Sequence, residues 1–108
     1  MRTANDIGRA TPPPVTLINV FEVPAGRDQE FLAGWQRTAE FMRRQPGFVS
    51  TRLHVSLNEQ AQFRYVNVAE WEDPGAFQKA VGQDAFREVA RDIGFAEAHP
   101  SLYRVVTP

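Results

Sequence analysis

The hydrophobic period of this chain switches between two and 3.6 along its length, and that switching restricts the fold more than any other feature. From Val15 to Val23 apolar side chains alternate, with Val15, Leu17, Asn19, Phe21 and Val23 on one face and Thr16, Ile18, Val20 and Glu22 on the other. Such alternation predicts a half-buried strand, ended by Pro24-Ala25-Gly26. From Arg27 to Arg44 the spacing becomes helical: Phe31, Leu32, Trp35, Ala39 and Met42 share a stripe, and Arg37, Glu40, Arg43 and Arg44 face outward. Asp28 and Glu30 at the start and Arg43 and Arg44 at the end suit the helix dipole. Gln45-Pro46-Gly47 stops the helix.

Alternation then returns twice. Phe48 to Leu57 sets Val49, Thr51, Leu53, Val55 and Leu57 against Phe48, Ser50, Arg52, His54 and Ser56, and Asn58-Glu59-Gln60 turns the chain into a hairpin partner from Gln62 to Trp71. Asp73 is a natural N-cap with Pro74 at the first helical position, opening a helix that places Phe77, Ala80 and Val81 inward until Gly82. A second helical piece, Asp84 to Ile93, carries Phe86, Val89, Ala90 and Ile93 on one stripe. After Gly94 a fourth strand is expected over Leu102 to Val106.

The order is β-α-β-β-α-β, an α+β arrangement of ferredoxin-like type in which four antiparallel strands carry their helices on one face. At 108 residues there is material for one domain, expected over 15–108, and none to cover the other sheet face. A second copy is the simplest cover, so a homodimer with sheets back to back is expected. Residues 1–14 are polar or small and end in three prolines, and they are expected to form a disordered or extended tail.

Composition removes several classes of function. Twelve basic against 13 acidic residues leave no electrostatic footprint for nucleic acid. No apolar run approaches the roughly 20 residues of a membrane helix, and the first residues lack the apolar core of a secretory signal, so the protein is expected to be cytoplasmic, without a membrane partner. With no Cys and only two distant His, His54 and His99, a metal site is not expected. Neither His has a carboxylate nearby in sequence to make it a general base. Phosphate-cradling loops and nucleophile elbows are absent too.

What remains is a set of polar residues that break the apolar alternation. Asn67 stands between Tyr65 and Ala69 on one strand face, and Asn19 between Leu17 and Phe21 on another. An amide buried without partners costs about 1–3 kcal/mol. Each therefore bonds to the other or to backbone, or else orients a ligand. Trp71, four residues after Asn67, lies on the same face about 13 Å along the strand, and its indole either fills the core or lines the same cavity. Arg91 ends the interrupted helix, where a solvated charge is the simpler reading.

The stretches Val15-Thr16-Leu17-Ile18-Asn19-Val20-Phe21, Arg44-Gln45-Pro46-Gly47-Phe48-Val49 and Tyr65-Val66-Asn67-Val68-Ala69-Glu70-Trp71 resemble the antibiotic-biosynthesis monooxygenase family over about residues 15 to 106. Within it they are most similar to the cofactor-independent anthrone oxygenases of aromatic polyketide pathways, of nogalamycin and actinorhodin type. The resemblance implies a dimeric α+β barrel with one pocket per subunit. It also implies a monooxygenase that oxidises an anthrone-like or phenolic aromatic to a quinone, with O₂ as co-substrate and no flavin, haem or metal. Asn19 and Asn67 would then hold the substrate oxygen, Trp71 would flank the peroxide, and Arg91 would favour the anion. Phe21, Tyr65 and Phe77 would line the pocket. Phe77 stands where actinorhodin-type members carry a proton-donating Tyr, a residue that nogalamycin-type members also lack. The haem-degrading branch is not indicated, since its ligand His and ruffling Trp are missing. The alternative is a non-catalytic or lyase-like dimeric barrel that binds an aromatic metabolite.

Overall fold

The computed structural model describes residues 13–108. Of the expected tail, residues 1–12 lie outside the described residues, while Pro13 and Pro14 are exposed and belong to no regular element. The chain runs β1 (Val15–Glu22), α1 (Asp28–Arg43), β2 (Phe48–Val55), β3 (Tyr65–Trp71), α2 (Pro74–Val81), α3 (Asp84–Ala90), a 3₁₀ turn (Arg91–Ile93) and β4 (Glu97–Tyr103). The strands form one antiparallel sheet in the order β2-β3-β1-β4, the ferredoxin-like topology, with the helices packed on one face. None of the described helices is long and apolar enough to cross a membrane.

Local chemistry explains most boundaries. Asp73 Oδ1 accepts the Ala76 N–H at 2.8 Å and Pro74 occupies the first turn of α2. Helix α1 has no side-chain N-cap and relies on Asp28 and Glu30 in its first turn and Arg43 in its last. Gly47 joins α1 to β2 with φ +87°, and its carbonyl accepts the Glu72 N–H at 2.8 Å, so the turn is locked to the end of β3.

Four expectations are corrected. Strand β4 begins at Glu97 and ends at Tyr103 rather than running from Leu102 to Val106. Pro100 reads in sequence as a breaker, but β4 pairs only with β1 and is an edge strand, where a missing N–H is tolerated. His99 is therefore a strand residue. Strand β2 carries an irregularity between Phe48 and Ser50, so Val49 is looped outward and Phe48 shares a face with Thr51 and Leu53 instead of opposing them. In α1, Leu32 faces solvent while Gly34 and Phe41 are buried, because α3 and the 3₁₀ turn press on a second side of the helix. A Cβ at Gly34 would sit 2.6 Å from Ile93 Cγ2, which is why that approach requires glycine. Finally, the hairpin strands are shorter than expected, ending at Val55 and restarting at Tyr65.

The apolar interior falls into two clusters. One gathers Leu17, Ala69, Trp71 and Ala80 with Met42, Phe48 and Phe77 around it. The other gathers Phe21, Phe31 and Tyr65 with Trp35, Leu53, Ile93 and Phe95. On β1 and β3 the residues between the two clusters are Asn19 and Asn67, which are direct register partners, and on β4 Pro100 pairs with Asn19.

Candidate active site

A cavity of about 440 Å³ lies between the helices and the sheet at the level of this polar row. That volume is within the range of small-molecule sites, about 300–1,000 Å³. Its walls include Leu17, Asn19, Phe21, Asn67 and Trp71 from β1 and β3, Phe48 and Thr51 from β2, and Ala98 and Pro100 from β4. Trp35, Ala39 and Met42 of α1, Phe77 and Val81 of α2, and Phe86, Ala90 and Ile93 close it on the helical side. Among the described residues none of the wall has a titratable side chain, so what these residues contribute is hydrogen bonds and shape.

The polar groups of the wall are few. Asn67 is only 8% exposed, and its Oδ1 accepts the hydroxyl of Thr51 at 2.6 Å. Asn19 Oδ1 accepts the backbone N–H of His99 at 3.1 Å. The Thr38 hydroxyl donates to the Gly34 carbonyl at 3.1 Å, a bond internal to α1. Trp71 is 1% exposed, with its ring edge-on to Phe48 at 5.4 Å and to Phe77 at 5.7 Å. Its indole N–H is buried with no acceptor among the described residues. An unpaired donor in such a place runs against the usual satisfaction of buried polar groups and marks a place where local stability has been given up.

Of the seven residues singled out by sequence, the cavity brings together Asn19, Asn67, Trp71, Phe21 and Phe77. Tyr65 is packed against Phe31 at 4.9 Å, and its hydroxyl donates to Asp28 Oδ2 at 3.0 Å, away from the cavity wall. Burial pushes the Tyr65 phenol upward from its usual range, and the hydrogen bond to the Asp28 carboxylate adds to the shift. Arg91 is exposed at the head of the 3₁₀ turn and takes no part in the wall, although Ala90 and Ile93 on either side of it do. That turn is anchored to α1 by the Arg37–Asp92 ion pair at 2.8 Å, and the loop after it by the Arg27 guanidinium, 3.7 Å over the Phe95 ring. Thr51 was not singled out, yet it touches the site directly. The signal was the same one that flagged the two asparagines: a polar residue within an apolar alternation, at Val49, Thr51 and Leu53.

Known proteins share this sequence pattern and this shape. The profile of the antibiotic biosynthesis monooxygenase family matches residues 14–92. Deoxynogalonate monooxygenase of Streptomyces nogalater is 44% identical over 73 residues, which is 67% of this chain and 58% of that protein, so the match spans less than two thirds of that relative. The crystal structure of SnoaB, a cofactor-independent oxygenase from Streptomyces nogalater, superposes with a TM-score of 0.79 at 33% identity, covering 90% of this chain and 97% of that one. A crystal structure from Shewanella loihica PV-4 superposes with a TM-score of 0.76 at 36% identity, covering 89% and 97%. The family expected from the three sequence stretches is thus the one found, and the chain belongs to the antibiotic biosynthesis monooxygenase family.

Proposed function

We propose that this chain is a cofactor-independent monooxygenase that oxidises a planar, electron-rich phenolic or anthrone-like substrate to a quinone with O₂. The observation that carries the reading is the cavity wall itself, which is apolar, free of titratable side chains among the described residues, and supplied with the side-chain amides of Asn19 and Asn67. The similarity to SnoaB, described as cofactor-independent, supports it.

In this reading the substrate is the reductant. Its ionised form donates electrons to O₂, a C–O bond forms at the activated carbon, and the peroxide takes up a proton. Loss of water then breaks the O–O bond as the same carbon gives up its remaining hydrogen as a proton, leaving a carbonyl. One O₂ is consumed, one oxygen atom enters the product and one leaves as water. Asn19 and Asn67 stabilise the oxyanion of the ionised substrate by donating N–H hydrogen bonds in a site largely shielded from water, where such bonds are strongest. Trp71 and Phe77 hold the ring plane. Arg91, which makes no contact with the cavity, would act on the anion only through its field.

The test is oxygen consumption by metal-free protein with dithranol as a model anthrone. Turnover above the spontaneous rate without any added cofactor is expected, and Asn67→Ala should lower kcat by about 10²–10³, the usual loss for one oxyanion donor. No turnover above the spontaneous rate would refute the enzyme and leave a binding barrel.

The homodimer belongs to the same proposal. Ile18, Val20, Val66 and Val68 form an apolar, half-exposed centre on the sheet face opposite the helices. Sedimentation at micromolar concentration should give twice the monomer mass, and a monomer would refute it.

A further inference from the structure

The reading above requires both asparagines to offer hydrogens rather than oxygens to the occupant, and a free amide can offer either. For Asn19 the choice is fixed by the backbone: the His99 N–H can only face an oxygen, so Oδ1 is turned to β4 and the NH₂ is left over. For Asn67 the corresponding role falls to a side chain. Its Oδ1 lies 2.6 Å from Thr51 Oγ1, and the Thr51 hydroxyl has no other acceptor among the described residues, so the hydroxyl donates and the Asn67 NH₂ is left over in turn. Asn19 and Asn67 sit directly opposite each other on β1 and β3, which puts both NH₂ groups on one wall.

We propose that Thr51 is a positioning residue that fixes the orientation of the Asn67 amide and thereby makes the cavity select the anionic form of its ligand. The proposal rests on the anion-stabilising reading of the site and deepens it. Without the hydroxyl, Asn67 is free to turn its oxygen toward the ligand, and an oxygen beside an oxyanion is repulsive. Thr51 takes its place from the regular pairing of Ser50 to Val55 with β3, and the irregularity at Val49 brings Phe48 beside it on the cavity side of β2.

The test measures ionisation of a bound probe, so it does not depend on turnover. In 1,8-dihydroxyanthraquinone the loss of a phenolic proton is visible in the absorption spectrum. Bound to the wild-type protein, it should ionise at lower pH than when free. Thr51→Val keeps the shape and the β-branch but removes the hydroxyl. It should move the ionisation midpoint back toward the free value by about one pH unit, a tenfold change of the size expected for one hydrogen bond. Thr51→Ser, which restores the hydroxyl, should keep the wild-type midpoint, and Thr51→Ala should repeat the shift of Thr51→Val. A wild-type midpoint that is lowered but unchanged in both hydroxyl-free variants would overturn the role of Thr51 alone. A wild-type midpoint that is not lowered, or a probe that does not bind, would overturn the anion-stabilising reading and this inference with it.

Discussion

Trp71→Phe should leave the fold almost as stable as the wild type, although it shortens one of the two largest fully buried side chains. The loss of roughly 40 Å³ costs about 1 kcal/mol at about 24 cal/mol per Å³ of cavity, and the smaller buried apolar area costs about 1 more. The edge-on contacts to Phe48 and Phe77 survive in kind, since a phenyl ring can still meet both. Against this stands the indole N–H, which is buried without an acceptor. Removing an unsatisfied donor returns about 1–3 kcal/mol. The balance lies within about 1 kcal/mol of zero, whereas truncating a paired core Trp to Ala would cost about 3–5 kcal/mol. Urea unfolding followed by circular dichroism, with the slope unchanged between variants, measures the difference. A destabilisation of about 3 kcal/mol or more would refute the reasoning, because the N–H would then have to be satisfied in the native state. A fall in turnover alongside unchanged stability is the outcome expected of a side chain that shapes the proposed site.

Two other perturbations probe the frame around the site. Gly47→Ala places a side chain at φ +87° and drives its Cβ into that of Ala76 on α2; unfolding experiments should show a loss of about 2–4 kcal/mol, and a loss below about 1 would refute the locked turn. Tyr65→Phe removes the hydroxyl bonded to Asp28 and should cost about 1 kcal/mol near neutral pH. Because the folded state holds the Tyr65 proton more tightly than the unfolded chain, the stabilisation is fully present below the ordinary tyrosine range of about 10 and is lost as the pH rises through the raised value. The gap between wild type and variant in thermal melts should therefore close in strong alkali, and a gap that stays constant to high pH would contradict the assignment.

Faces were easier to read from sequence than positions along them. The alternation in β1 and β3 puts Asn19, Asn67 and Trp71 on the helix side of the sheet because one side is buried, and a slip of one residue would have reversed every side chain. Tyr65 was correctly placed on that face, but the pattern says nothing about which way a hydroxyl leans, and Asp28 lies 37 residues away. The two-residue period sets Phe48 and Thr51 on opposite faces because an extra residue in one strand leaves no mark in it. The start of β4 is hidden in the sequence because Pro100 is tolerated only at an edge, and edges are decided by the whole sheet. Arg91 depended on a helical register that the 3₁₀ turn changes just where the residue sits.

The buried apolar residues form two clusters, and the cavity lies at the level of the polar row between them. A ring system seated in the proposed site would bridge them and become the central piece of the core. Burying an aromatic surface of about 150–250 Å² there is worth roughly 4–6 kcal/mol, a size comparable with the whole folding free energy of a typical small domain, about 5–15 kcal/mol. A substrate of the proposed kind would thus double as a structural element.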